Sequence, residues 1–339
     1  MALLEVEDLH VSFKTPDGVV EAVRGLSFSV DRGKTLGIVG ESGSGKSVAT
    51  QTITGLTRGA RVSGHAFFDG VDLLTAKDDQ LRDYRGVRIG MIFQDPLSSL
   101  HPAYRVGWQI VEMIRAHNKS MSKQQARELA VERLGQVGIP HAAERIDDYP
   151  HQFSGGMRQR VMIAMAMALN PDLLIADEPT TALDVTVQAQ VLAVMQRLQE
   201  EFGTAIILIT HDLGVIAETA DDVIVMYAGS VMEQAPRREI FYRHHNPYTE
   251  GLFASLPARD DSRKRLTPIP GSPPSLIDLA PGCPFSPRCP YAFDRCREEA
   301  PPLEMVYSDP RHRSACWLSA DLAERQDQRE GLLIAEATG

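Results

Sequence analysis

Residues 35–47 read Thr-Leu-Gly-Ile-Val-Gly-Glu-Ser-Gly-Ser-Gly-Lys-Ser, a short apolar run that breaks into glycine, lysine and serine. Thr35–Val39 has the length and composition of a strand buried on both faces of a parallel sheet. Gly40–Ser47 then fits G-x-x-x-x-G-K-[ST], in the strand-then-helix setting that gives the pattern its meaning. Glycines at 40, 43 and 45 let backbone N–H groups turn inward around phosphate oxygens without side-chain clashes. The helix that follows points its positive end at the same anion. Lys46 is placed to reach β- and γ-phosphates, and the Ser47 hydroxyl is a candidate Mg²⁺ ligand. The stretch predicts a nucleotide-triphosphate site on an α/β core.

Working outward, Leu173–Ala176, Ala205–Ile209 and Asp222–Tyr227 are further short apolar runs and read as companion strands. The first ends in Asp177-Glu178, which places two carboxylates at the C-terminal edge of the sheet, beside the phosphate loop. Asp177 is the candidate Mg²⁺ ligand, and Glu178 the group that orients and polarises an attacking water. Gln94, after Met91-Ile92-Phe93, and His211, after Ala205–Thr210, occupy equivalent strand ends. Each has an ordinary structural reading on position alone. On the functional reading Gln94 reaches the metal or water and His211 the γ-phosphate.

Residues 3–13 and 19–30 alternate apolar and polar around the turn Thr15-Pro16-Asp17-Gly18, predicting an antiparallel pair with a short strand near 64–69. Residues 105–140 read as helical. Ser122 and Gln125 fit a capping box, Ala126, Leu129, Ala130, Leu134 and Val137 follow at helical spacing, and Gly138 and Pro140 close the stretch. Residues 186–201 form another amphipathic candidate. The expected arrangement is an α/β core over 1–256, interrupted by a mainly helical insertion from about 96 to 165.

The tail differs. Twelve of the 21 prolines lie between Pro257 and Pro310, which disfavours long helices and central strands there. All four cysteines, Cys283, Cys289, Cys296 and Cys316, fall in or just beyond that stretch, so 257–339 reads as an irregular Pro- and Cys-rich module. Four thiolates suit zinc or an iron–sulfur cluster, and the spacing alone leaves both open beside reduced thiols or a labile disulfide. His244-His245 reads as an ordinary solvent-facing loop rather than a metal site.

Composition narrows the function classes. Lys and Arg number 35 against 45 Asp and Glu, a formal charge of −10, so nucleic acid is not an expected partner. No apolar run approaches the roughly 18 residues of a membrane span. The acidic N-terminus lacks a secretory apolar segment, so a cytoplasmic location is expected.

The order of these motifs resembles the ATP-binding subunits of ABC transporters, over about residues 3–255. Gly40–Ser47 is similar to Walker A, Gln94 to the Q-loop, and Ser154-Gly155-Gly156-Met157-Arg158-Gln159-Arg160 to the ABC signature. Leu173–Asp177 with Glu178 is similar to Walker B and its catalytic Glu, Ala182-Leu183-Asp184 to the D-loop, and His211 to the switch His. Phe153 and Met157 replace the usual Leu and Gln of the signature, a form similar to that of oligopeptide and dipeptide importers. The resemblance implies a P-loop ABC fold: a RecA-like parallel core, an antiparallel β subdomain and a helical subdomain.

It also implies an ATPase that couples hydrolysis to solute import. ATP contacts would come from Phe13, Gly40, Ser42, Gly43, Ser44, Gly45, Lys46, Ser47, Val48, Gln94, Ser154, Gly155, Gly156 and Asp184. Phe13 would stack on adenine, although an aromatic there reads equally as core. Mg²⁺ would be held by Ser47, Gln94 and Asp177. Lys46, Gln94, Glu178 and His211 would carry catalysis. The implied partners are a second ATPase chain, with a heterodimer favoured, two transmembrane permease subunits and, indirectly, an extracytoplasmic peptide-binding protein. This places the chain at the cytoplasmic face of the membrane. Nickel or a glycoside is the alternative solute, and an ATPase acting on ribosomes or DNA the alternative class. The segment from Gly282 to Cys296, with Cys316-Trp317, resembles the tail of peptide-importer ATPases, some of which hold a [4Fe–4S] cluster.

Overall fold

The computed structural model describes residues 2–94, 99–180, 183–255, 268–277, 279–306 and 309–320. Its strands are β1 (Ala2–Thr15), β2 (Gly18–Asp31), β3 (Thr35–Val39), β4 (Ala60–Phe68), β5 (Val71–Asp72), β6 (Ile89–Ile92), β7 (Leu173–Asp177), β8 (Ala205–Ile209), β9 (Asp222–Tyr227), β10 (Ser230–Pro236), β11 (Glu304–Val306) and β12 (Asp309–Ser314). They form a four-stranded sheet, β2-β1-β4-β5, and an eight-stranded sheet, β11-β12-β10-β9-β3-β8-β7-β6. Neighbours from β9 through β3, β8 and β7 to β6 are parallel, while β10 turns back antiparallel on β9.

The apolar runs of the sequence become this parallel block because each strand is buried on both faces. Leu173, Ile175, Ala205, Ile207, Ile209, Ile224 and Met226 enter a core shared with the antiparallel sheet and the helix Lys46–Ile53. Their alternates Leu174, Ala176, Ile206, Leu208, Val223 and Val225 enter a second core, shared with the helical insertion. A period-2 pattern is absent from the sequence of these strands because neither face meets water.

In the insertion, helices span Val106–His117, Lys123–Gln136, Ala142–Arg145 and Gly155–Met167. Ser122 caps the second of these as its sequence predicts. Its Oγ accepts from the Gln125 N–H at 3.2 Å, and the Gln125 side-chain oxygen accepts from the Ser122 N–H at 2.9 Å. Ala126, Ala130 and Leu134 lie on the buried side.

The tail is built onto the sheet. β12 pairs with β10 through Glu233–Ser314 and Gln234–Arg313, beyond Pro310, which has no N–H to contribute to a ladder. The Asn246 side chain donates to the carbonyls of Met232 and Ala315, and the Leu276 carbonyl accepts from the Glu21 N–H. The adjacent histidines depart from their solvent-facing reading. His245 is buried, its ring stacked on His312 at 4.8 Å and its backbone N–H donated to Glu233. The tail, distant in sequence, covers this loop. No helix among the described residues is long and apolar enough to cross a membrane.

The helix Gly155–Met167 approaches β6 backbone to backbone. A Cβ on Gly90 would lie 2.5 Å from the Ala166 carbonyl oxygen, whereas one on Gly135 would meet nothing within 4 Å. Gly90→Ala should therefore lower stability by about 2 kcal/mol, and Gly135→Ala, in a helix, should raise it by about 0.5 kcal/mol. Thermal unfolding of the two variants checks the opposite signs.

Candidate functional site

The site assembles at the C-terminal ends of β3, β6, β7 and β8. Gly40, Gly43 and Gly45 have φ of +150°, +77° and +97°, conformations that suit only glycine. The helix starting at Lys46 has no side-chain cap and no acidic residue in its first turn. Its first-turn N–H groups, which have no acceptors within the helix, are left for an external anion.

Lys46 folds back over this loop. Its Nζ donates to the carbonyls of Gly40 (2.8 Å) and Glu41 (2.9 Å) and to the Ser44 hydroxyl (3.1 Å). An ammonium has three donors, so a phosphate oxygen entering the loop takes over or shares one of them. Burial pushes the Lys46 pKa below its ordinary value, opposed by the charges of Glu178, Asp177 and Glu41.

Ser47, on the first turn, donates its hydroxyl to Asp177 Oδ1 at 2.9 Å. Asp177 is 3% exposed, and burial raises its pKa; the charge of Glu178 adds to the rise, while the Ser47 bond and Lys46 oppose it. The pair fits Mg²⁺, a hard cation that takes one or two protein oxygens and completes its shell with phosphate oxygens and water.

Glu178 ends the strand in a left-handed turn, φ +48°, with its N–H donated to the Ile209 carbonyl. The turn swings its carboxylate between two groups. Gln94 Nε2 donates to Oε2 at 3.0 Å, and His211 Nδ1 lies 3.5 Å from Oε1. The His211 side chain is 64% exposed and that of Glu178 17%, so the carboxylate faces a solvent-reached edge where a water can sit.

The remaining residues fall into separate groups. Ser44 is buried, Val48 half-buried against the core, and Ser42 and Gly43 are exposed at the tip of the loop. Phe13 is half-buried in β1, opposite Val20 and Ala60, and packs on the antiparallel side of the core. Ser154 and Asp184 each cap their own helix, accepting from the N–H groups of Met157 (3.3 Å) and Val187 (3.0 Å). Gly156 fits because a Cβ there would meet Val187 Cγ1 at 2.4 Å, which locks the signature helix to the helix Val185–Phe202. Ala182 lies outside the described residues.

The four cysteines, all half-buried free thiols, line one mostly apolar cavity with Phe285, Asn246 and Trp317. Burial pushes the thiols of Cys283 and Cys289 up, and that of Cys316 up to about 12, with the neighbouring thiols adding to each shift. Among the described residues, no three His, Cys, Asp or Glu side chains are so placed that they hold a single metal ion.

Sequence reasoning missed the residues that hold the loop from behind. Arg288 grips the Glu41 carboxylate, and the Tyr248 hydroxyl accepts from the Glu41 N–H at 3.0 Å. Only Glu41's place inside the loop hinted at this, since Arg288 lies 247 residues away.

Comparison with known proteins agrees with this geometry. The ABC transporter family matches residues 23–181, and the family described as oligopeptide/dipeptide transporter, C-terminal region, matches residues 232–296. The chain is 52% identical over 316 residues to an oligopeptide transport ATP-binding protein of Salmonella typhimurium, covering 93% of both chains. It is 50% identical over 325 residues to a dipeptide transport ATP-binding protein of Bacillus subtilis, covering 95% of this chain and 96% of that protein. Among solved structures, it is similar to a dimeric ATP-binding cassette in a post-hydrolysis state bound to ADP and Pi, with a TM-score of 0.63 and 27% identity. That match covers 69% of this chain and 99% of the other. A subunit of the cbiONQ ABC transporter complex of Clostridium perfringens gives a TM-score of 0.60 at 31% identity, over 71% and 91% of the two chains.

Removing the Lys46 ammonium removes a charge-assisted donor from the loop. Lys46→Ala should weaken ATP binding by at least about tenfold, read by equilibrium fluorescence with a MANT-labelled ATP.

Proposed function

The chain belongs to the ATP-binding subunits of ABC transporters, and from that premise we propose that it is the ATPase that powers import of di- and oligopeptides. The observation that carries the peptide assignment is the match of its C-terminal region to the oligopeptide/dipeptide family, joined to half identity with peptide transport ATP-binding proteins over nearly the whole chain.

In this reading Gly40–Val48 cradles the triphosphate, with Ser42, Ser44 and the backbone N–H groups on its oxygens and Phe13 stacked on adenine. Ser47, Asp177 and Gln94 would hold Mg²⁺, which would offset phosphate charge when bound. The Lys46 ammonium, favoured by the charges of Glu178, Asp177 and Glu41 against its burial, meets the negative charge that develops during transfer. Glu178, fixed by Gln94 on one side and His211 on the other, orients the attacking water and draws its proton. His211, on the exposed side, faces the γ-phosphate.

One chain carries one phosphate loop and one signature. Ser154, Gly155, Gly156 and Asp184 form a second group on this chain and would close on ATP held by a second ATPase chain, related in sequence and paired as a heterodimer. Contacts made to the γ-phosphate from both halves stabilise the closed pair, and hydrolysis releases them. Gln94 bonds Glu178 and precedes the helical insertion, so loss of phosphate is passed to the insertion and from there to two membrane-spanning permease subunits. The chain then works at the cytoplasmic face of the membrane, supplied by an extracytoplasmic peptide-binding protein.

We further propose that Cys283, Cys289, Cys296 and Cys316 hold a [4Fe–4S] cluster that braces the tail. Support comes from the mostly apolar cavity that all four cysteines line together. Stoichiometric iron and sulfide are expected in chain purified without oxygen, and a colourless, iron-free sample would overturn this.

Glu178→Gln tests the assigned chemistry. It keeps the bracketed geometry but cannot take a proton, so turnover in the assembled transporter should fall at least about a hundredfold while ATP binding persists. Near-normal ATPase activity refutes the role. Pull-down of the tagged chain from membranes should bring permease subunits and a second ATPase.

A further inference from the structure

The cysteine-rich tail reaches the phosphate loop directly. Glu41, the loop's second residue, is held at four atoms. Its N–H donates to Tyr248 Oη at 3.0 Å, and its carbonyl accepts from Lys46 Nζ at 2.9 Å. Arg288 takes both carboxylate oxygens, Nη1 to Oε2 at 2.6 Å and Nη2 to Oε1 at 3.0 Å. Arg288 precedes Cys289 and is 7% exposed. It is itself held by the Pro270 carbonyl, which accepts from Nε at 2.8 Å, and by Tyr227 Oη at 3.1 Å.

A second contact runs parallel to this one. Phe285, two residues after Cys283 and 2% exposed, packs edge-on against Tyr227 (5.5 Å between ring centres) and Tyr248 (5.2 Å). The two tyrosine rings are 4.6 Å apart. Tyr248 thus meets the loop through its hydroxyl and the tail through its ring. A bidentate guanidinium–carboxylate pair fixes direction as well as distance.

We infer that the cysteine module sets the ATP affinity of the phosphate loop, with Arg288 as the positioning residue that fixes and neutralises Glu41. Two effects of losing Arg288 act in the same direction. The Glu41 carboxylate becomes an uncompensated negative charge in the loop that receives the triphosphate. The loop also gains freedom that binding must remove. Neither effect needs Arg288 to touch nucleotide.

The inference rests on the ATP-binding reading of the loop. Binding of MANT-ATP by the unaltered full-length chain tests that reading, and ratios between variants test this one. Arg288→Ala should weaken MANT-ATP binding by about tenfold, the scale of one lost charge-assisted contact. In the assembled transporter KM for ATP should rise by a similar factor, with kcat falling by less. Adding Glu41→Gln to Arg288→Ala should recover most of the affinity, because it removes the stranded charge. A structural role confined to folding of the tail would not give that rescue. Affinity of Arg288→Ala within twofold of the unaltered chain overturns the inference, as does a loss that Glu41→Gln leaves untouched. Should Arg288→Ala fail to fold, Arg288→Lys replaces it. It keeps the charge but loses the two-pronged grip and should weaken binding by about threefold, and equality with the unaltered chain overturns the inference.

Discussion

The phosphate loop is wedged between two strands at a distance that no side chain would permit. A Cβ on Gly40 would lie 2.0 Å from the Met226 carbonyl oxygen at the end of β9, and one on Gly45 would lie 2.2 Å from the Ala22 carbonyl oxygen of β2. This double contact fixes the start of the Lys46 helix relative to both sheets. The other polar groups of the site are then placed by strand order. β8 and β7 follow β3 in the sheet, so Asp177 arrives beside Ser47, and the Glu178 N–H bonds Ile209 on the intervening strand. β6 follows β7, which sets Gln94 against the Glu178 carboxylate. Two close approaches of backbone to backbone thereby help determine where four strands deliver their polar ends.

Burial then sets the electrostatics. Lys46 and Asp177 are both nearly buried, and desolvation works against the charged form of each, lowering one pKa and raising the other. Each supplies charge that supports the other, while Glu178 helps Lys46 and opposes Asp177. A bound divalent cation would relieve the repulsion between adjacent carboxylates, and a triphosphate would relieve the burial of the ammonium.

Much of this was legible in the sequence because it follows from local rules. The runs at Thr35, Leu173, Ala205 and Asp222 became the parallel strands β3, β7, β8 and β9 because burial on two faces demands uninterrupted apolar residues. Ser122 announced its helix through a capping box that needs only residues three apart. Gln94, Glu178 and His211 meet because each follows an apolar strand. The tail resisted the same reading. Among the described residues the elements of the tail are short, in keeping with its prolines, yet β12 still joins β10, because the ladder uses Arg313 and Ser314 rather than Pro310. Burial of His245 and the grip of Arg288 on Glu41 depend on segments tens to hundreds of residues apart, and no periodicity or short motif encodes such a contact.

Those long-range contacts change what the ATPase core means in this chain. Two of its carboxylates take partners from the tail. Glu233, in β10 and fully buried, meets His312 Nε2 at 2.9 Å, and Glu41 meets Arg288. A buried carboxylate stripped of its partner is strongly destabilising, far beyond what an exposed ion pair contributes. Core and tail are therefore joined through carboxylates at two contacts, a hydrogen bond to histidine on β10 and a bidentate ion pair at the loop. The tail completes the same body that holds the phosphate loop, and whatever holds the tail in place also holds Glu41.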